Sequence, residues 1–139
     1  MLFCLCLLLD VKVCFMDRVK ILVWHVRGLN SSARQSAVLR FVRDHQISIV
    51  CFRESKVESV SLQLVAQCCG PKFNKFLVVP SVGASGGLVT AWDDSEFEID
   101  QVAASRNFLL AVCNSKESGK SWHLCNVYGP QGMPTKEAC

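Results

Sequence analysis

The sequence lacks any apolar run approaching the ~20 residues that a membrane span requires. The longest candidate, at the amino terminus, is Leu2 to Leu9. Also missing is a clear secretory signal, since no basic start and no small-residue cleavage site flank that run. No strong excess of one charge is present: the formal net charge is +3, which permits contact with a phosphate backbone without requiring it. Internal repeats, low-complexity tracts and linkers are absent, so the 139 residues read as one domain. The C-x-x-C spacing of a zinc site does not occur either; Cys4/Cys6 and Cys68/Cys69 are too close together and have no partner pair downstream.

What is present is apolar. Half of the residues are hydrophobic and 19% are charged, a balance that excludes disorder and supports a packed core. The nine cysteines are an odd number, and Cys51, Cys113 and Cys125 sit inside apolar runs where a small thiol packs well. They read as free, reduced thiols of an intracellular protein, nuclear or cytoplasmic. Residues 1–16 read as a leader outside the domain, with a weak signal or anchor as the alternative, and residues 17–139 as the domain itself.

Val19–Trp24 is a continuous, β-branched run, as expected of a strand buried on both faces. Ser31 or Ser32 caps a helix on which Ala37, Val38, Phe41 and Val42 form one stripe. Ile47–Phe52 is a second buried strand, so the chain opens as β-α-β with parallel strands. "SVSLQLVAQCCG" predicts another helix, stopped at Gly70-Pro71. Five short runs then follow: "KFLVVP", "GGLVTAW", "FEIDQVAA", "NFLLAVCN" and "SWHLCNVYG". With turn residues between them they predict antiparallel strands, and the whole predicts an α+β layered sandwich.

Ligands of such sheets bind beside the carboxyl ends of strands. The first strand delivers His25 there, the second Glu54 and the last Tyr128. Each also has a plain reading: a hydrogen-bonded packing histidine, a solvated loop carboxylate, an amphipathic edge tyrosine.

Taken together, "KILVWHVRGLN", "IVCFRES", "VPSVGASGGLVTAW" and "NVYGPQG" resemble the front half of the endonuclease domain of plant LINE-type (non-LTR) retrotransposons. That domain belongs to the endonuclease/exonuclease/phosphatase, or DNase I-like, superfamily. The resemblance covers Val19 to Gly132 and implies part of a four-layer α/β sandwich that hydrolyses DNA phosphodiesters with Mg²⁺. It implies that Glu54 is the metal-ligating carboxylate and that Tyr128 holds or protonates the phosphate. His25 stands at a position that is asparagine in the family, beside metal and scissile phosphate. Ser85, Gly86 and Gly87 match the turn that opens a core strand. One carboxylate plus substrate phosphate suits Mg²⁺, which takes hard oxygen ligands and keeps several waters.

The sequence departs from that pattern in three ways. Imidazole at His25 suits zinc or copper better than magnesium and cannot present an amide. Arg53 replaces a glutamine directly before Glu54, although strand neighbours point to opposite faces. The D-x-N and D-H motifs of the family's second half have no counterpart: Asp93, Asp94 and Asp100 read as turn and surface residues, His45 as closing a helix and His123 as lying on a strand face. Losing a positioned base removes ~10²–10⁴-fold of acid–base help. The expectation is therefore an inactive remnant of an endonuclease. Alternatives are a residual nucleic-acid-binding module, using Arg27 and Lys56 with Lys72 and Lys75 against phosphates, a clipped piece of an active endonuclease, and a fragment that self-associates through an exposed sheet face.

Overall fold

The structure, a computed structural model, describes residues 2–4, 11–83 and 85–128. Residues 1 and 5–10 of the expected leader, Ala84 of the "SVGASGG" turn and residues 129–132 of the last motif lie outside the described residues. Nine strands and two helices are present among the described residues, in the order β1 (Leu2–Cys4), β2 (Val11–Met16), β3 (Val19–His25), α1 (Ser32–His45), β4 (Ile49–Arg53), α2 (Leu62–Cys69), β5 (Lys75–Val79), β6 (Leu88–Trp92), β7 (Phe97–Ala104), β8 (Phe108–Ser115) and β9 (Ser121–Val127). The strands form a five-stranded sheet, β2-β3-β4-β6-β5, and a four-stranded sheet, β1-β9-β8-β7. The expected α+β class and partial sandwich are what is found.

The β-α-β opening is visible directly. β3 and β4 pair in parallel, from Ile21 opposite Ile49 to His25 opposite Arg53. Ser31 caps α1 by accepting from the Arg34 N–H at 3.3 Å, and Gln46 closes it in a left-handed conformation. Along α1, Val38 and Val42 are buried and Phe41 is half-buried, whereas Ala37 of the expected stripe is exposed. Ser61 caps α2 and Gly70 ends it, in agreement with the stop signal. From β5 onward the pairings within each sheet are antiparallel, β5 with β6, β7 with β8 and β8 with β9, whereas the chain changes sheet between β6 and β7.

Two cores result from strict alternation. Leu22, Val50 and Phe52 point one way, onto Val38 and Val42 of α1 and Val65 and Cys68 of α2. Ile21, Val23, Ile49 and Cys51 point the other way, onto Ile99, Cys113, Trp122 and Leu124 of the second sheet. All five residues of β4 are therefore buried, which is why "IVCF" is apolar on both faces. Burying Leu22 completely makes Leu22→Ala a loss of about 2–5 kcal/mol.

Both sheets of a sandwich are present, and their facing sides are buried against each other. The outer face of the four-stranded sheet carries a small apolar cluster of its own, in which Phe108 and Leu110 pack against Cys125 and Val127. The stretch read as a leader also differs from expectation: Val11–Met16 pairs antiparallel with β3 over its whole length, from Val11 opposite Trp24 to Met16 opposite Val19. The cause is a tight connection at Asp17, whose positive φ of 58° is one that aspartate tolerates. Leu2–Cys4 pairs in parallel with β9.

Candidate active site

Three segments leave the five-stranded sheet side by side and stay hydrogen-bonded beyond it. After β3 and β4, Val26 N–H donates to Arg53 O (3.0 Å), Gly28 N–H to Glu54 O (2.9 Å) and Leu29 N–H to Ser55 O (2.9 Å). On the other side Ser55 N–H donates to Gly87 O (3.1 Å) and Lys56 N–H to Gly86 O (2.9 Å). The parallel ladder thus runs on through the loops and fixes their backbones relative to one another. Arg27, Glu54 and Lys56 all adopt positive φ, at 53°, 54° and 56°. Such a conformation costs a non-glycine residue about 1–3 kcal/mol and persists only where its surroundings impose it.

These backbones bring the expected residues together. His25 shares a strand face with Ile21 and Val23, so its ring lies at the open end of the inter-sheet layer. Its Nε2 meets Glu54 Oε2, an N–H donating to the carboxylate. Lys56 Nζ lies 3.4 Å from the other carboxylate oxygen, Oε1. Tyr128, just past β9, packs edge-on against the imidazole with ring centres 5.5 Å apart. Its own backbone N–H donates to Asn107 O at 2.8 Å. Burial pushes the Glu54 carboxyl up, but the hydrogen bond and charge of His25, and then those of Lys56, outweigh it and hold the group below the usual carboxylate range.

Arg27 is exposed beside this cluster, while Lys56, expected to face phosphate, has its ammonium on Glu54. Lys72 and Lys75 lie elsewhere, Lys72 at the end of the sheet where α1 and α2 terminate, in the lining of a cavity of about 500 Å³ shared with Asp93 and Glu96. Arg53 is only 2% exposed. It shares the inter-sheet face of β4 with Cys51, and its charge lowers the otherwise raised thiols of Cys51 and Cys125. Asp100 is exposed on β7, Asp93 and Asp94 flank the β6–β7 turn, His45 ends α1 and His123 is half-buried on β9, as expected.

Two contributors were not singled out from the sequence. Asn126 is fully buried, and its Nδ2 donates to Phe52 O and Val89 O, both at 3.2 Å, tying one sheet to the other next to the site. Ser55 is equally buried, and a Cβ added at Gly87 would overlap its Oγ. The "SGG" turn is thus explained by close approach as well as by the positive φ of Gly86 and Gly87. Neither polar side chain carries a sequence signature that separates it from an ordinary surface residue.

Magnesium fits this arrangement poorly. The donors at hand are one carboxylate, an imidazole and a phenol, and both carboxylate oxygens already have protein partners, His25 and Lys56. Among the described residues no group of three or more His, Cys, Asp or Glu side chains is placed to hold a metal ion.

No protein-family model and no curated protein matches the sequence. Solved structures do. The AP endonuclease LMAP from Leishmania major superposes with a TM-score of 0.62 at 17% identity, over 86% of this chain and 43% of that one. The endonuclease domain of TRAS1, a telomere-specific non-LTR retrotransposon, superposes with a TM-score of 0.55 at 10% identity, over 86% of this chain and 49% of that one. The chain has the fold of these endonucleases. It spans less than half the length of either, and identities this low establish the DNase I-like architecture alone. Within that architecture His25, Glu54 and Tyr128 meet at the ends of three strands. Among the described residues no helix is long and apolar enough to cross a membrane.

Proposed function

We propose that this chain is a partial endonuclease domain, of the kind carried by plant LINE-type retrotransposons, that keeps a phosphate-facing site but does not cleave phosphodiesters. The observation that carries it is the convergence of His25, Glu54 and Tyr128 from separate strands onto one spot. Both similar structures are endonucleases, one from a retrotransposon. Tyr128 and the exposed Arg27 supply donors suited to a phosphate oxygen. Against turnover stands the state of Glu54, whose carboxylate is engaged on both oxygens by His25 and Lys56. A plasmid-nicking assay with Mg²⁺ or Mn²⁺ tests this: the wild type and Glu54→Ala should be equally silent. Nicking by the wild type that Glu54→Ala abolishes would refute silence.

A second reading, residual DNA binding without cleavage, is favoured by the exposure of Arg27 at the site. Affinity for duplex DNA should then fall steeply with salt, as released counter-ions dictate. Binding that is absent or indifferent to salt removes this reading.

A further inference from the structure

We propose that His25 and Lys56 are built-in partners of Glu54, and that they keep divalent metal off the carboxylate. The inference rests on Glu54 being the metal-position carboxylate of the proposed function. Each carboxylate oxygen has its own partner, Nε2 of His25 on Oε2 and Nζ of Lys56 on Oε1. The two partners are held in place from elsewhere. The His25 ring is flanked edge-on by Tyr128 at 5.5 Å. The backbone of Lys56 is pinned by its hydrogen bond to Gly86 O at 2.9 Å and by its φ of 56°. Its stem runs past Gly28, where an added Cβ would lie 3.8 Å from the Lys56 Cδ. Side chains of His25, Glu54 and Lys56 are 22%, 20% and 38% exposed, so water screens the trio only in part.

His25 is not arranged as a co-ligand. Its Nε2 donates an N–H to Oε2, so it does not present a lone pair to an ion beside Glu54. A dication reaching Glu54 must therefore displace a hydrogen-bonded imidazole and approach an ammonium of like charge. The first cost vanishes when His25 is replaced by a residue that does not donate to Oε2, and the second when Lys56 is replaced by an uncharged residue.

The test is Mn²⁺ titration of the full chain, followed by the loss of the free-ion electron paramagnetic resonance signal and by calorimetry, with circular dichroism as the check on folding. Wild type and Glu54→Gln should be indistinguishable, with no stoichiometric Mn²⁺ site. His25→Ala and Lys56→Met should each gain uptake towards one ion per chain, and the added Glu54→Gln should abolish the gain. Stoichiometric Mn²⁺ on the wild type that Glu54→Gln removes overturns the inference, and this comparison needs no His25 variant to fold. Folded His25→Ala and Lys56→Met that both gain nothing overturn it as well. Wild-type Mn²⁺ binding without nicking sinks this inference alone, whereas wild-type nicking sinks the proposed function.

Discussion

Replacing Gly87 by alanine tests how tightly the turn behind the site is specified. Gly87 has φ +100°, and its missing Cβ leaves the space in which Ser55 Oγ lies. The backbone term alone costs a residue with a Cβ about 1–2 kcal/mol. The steric term adds to it, because Ser55 is 0% exposed and has no route into solvent. Forcing a methyl into such packing costs about 1–3 kcal/mol, so Gly87→Ala should lose about 2–5 kcal/mol in total. Ser55→Ala removes the obstructing oxygen and leaves its Cβ 3.4 Å from the new methyl, a contact that needs little adjustment. The Ser55 hydroxyl is buried without a hydrogen-bond partner among the described residues. Its removal alone should therefore be neutral or slightly stabilising. The double variant should retain the backbone term only, giving a coupling of about 1–3 kcal/mol between two residues in contact. Urea unfolding of the four proteins measures this directly. Additivity within about 0.5 kcal/mol would show that the turn relaxes around the methyl, and the steric account would then be wrong.

Asn126→Ala withdraws the amide that bridges Phe52 O and Val89 O and should cost about 1–3 kcal/mol, read as a lower urea midpoint with unchanged slope. Burial raises the Cys51 thiol from 9.0 to about 12, and the neighbouring Cys113 thiol likewise to about 12. The unfolded chain then sheds these protons first, so their contribution is intact below pH 9 and is lost as pH rises from there towards 12. Each should cost about 1.4 kcal/mol per pH unit in that window. Unfolding measured at pH 8 and pH 10 should show the loss, and Cys51→Ala should flatten the slope even though it lowers stability at pH 8. A slope that Cys51→Ala leaves unchanged would contradict the assignment.

Much of the fold was legible because the apolar pattern has the right period. Ile21, Val23 and His25 alternate with Leu22 and Trp24, and that alternation alone sets His25 on the inter-sheet side. The helix ends at Ser31 and Gly70 followed from capping chemistry. Arg53 follows the same alternation as Ile49 and Cys51, which carries it into the inter-sheet layer. The hairpin of Val11–Met16 was not legible, because the Asp17-Arg18 turn lacks the glycine that marks a two-residue connection. Nor was the conformation of Glu54 and Lys56. Positive φ at a glutamate or a lysine has no signature in sequence, since it is imposed by the ladder on either side. The role of Lys56 was missed for the same reason. Left-handed φ at both Glu54 and Lys56 shapes the turn on which the Lys56 ammonium comes to lie 3.4 Å from the Glu54 carboxylate.

That turn also limits what the site can become. A carboxylate only 20% exposed needs a counter-charge, and the protein has supplied it from two directions. Because His25 and Lys56 take different oxygens, neither substitution alone leaves Glu54 without a partner: each single variant frees one oxygen and keeps the other engaged. Glu54→Gln is different. It removes the shared anion and leaves His25 and Lys56 facing a neutral amide, so the stability lost should exceed that lost in either partner's variant. The ordering of the three variants follows from Glu54 being the common partner. A loss in Glu54→Gln that merely equals that of one partner's variant, with the other partner's variant neutral, would mean that one pair carries the interaction and the other partner is incidental.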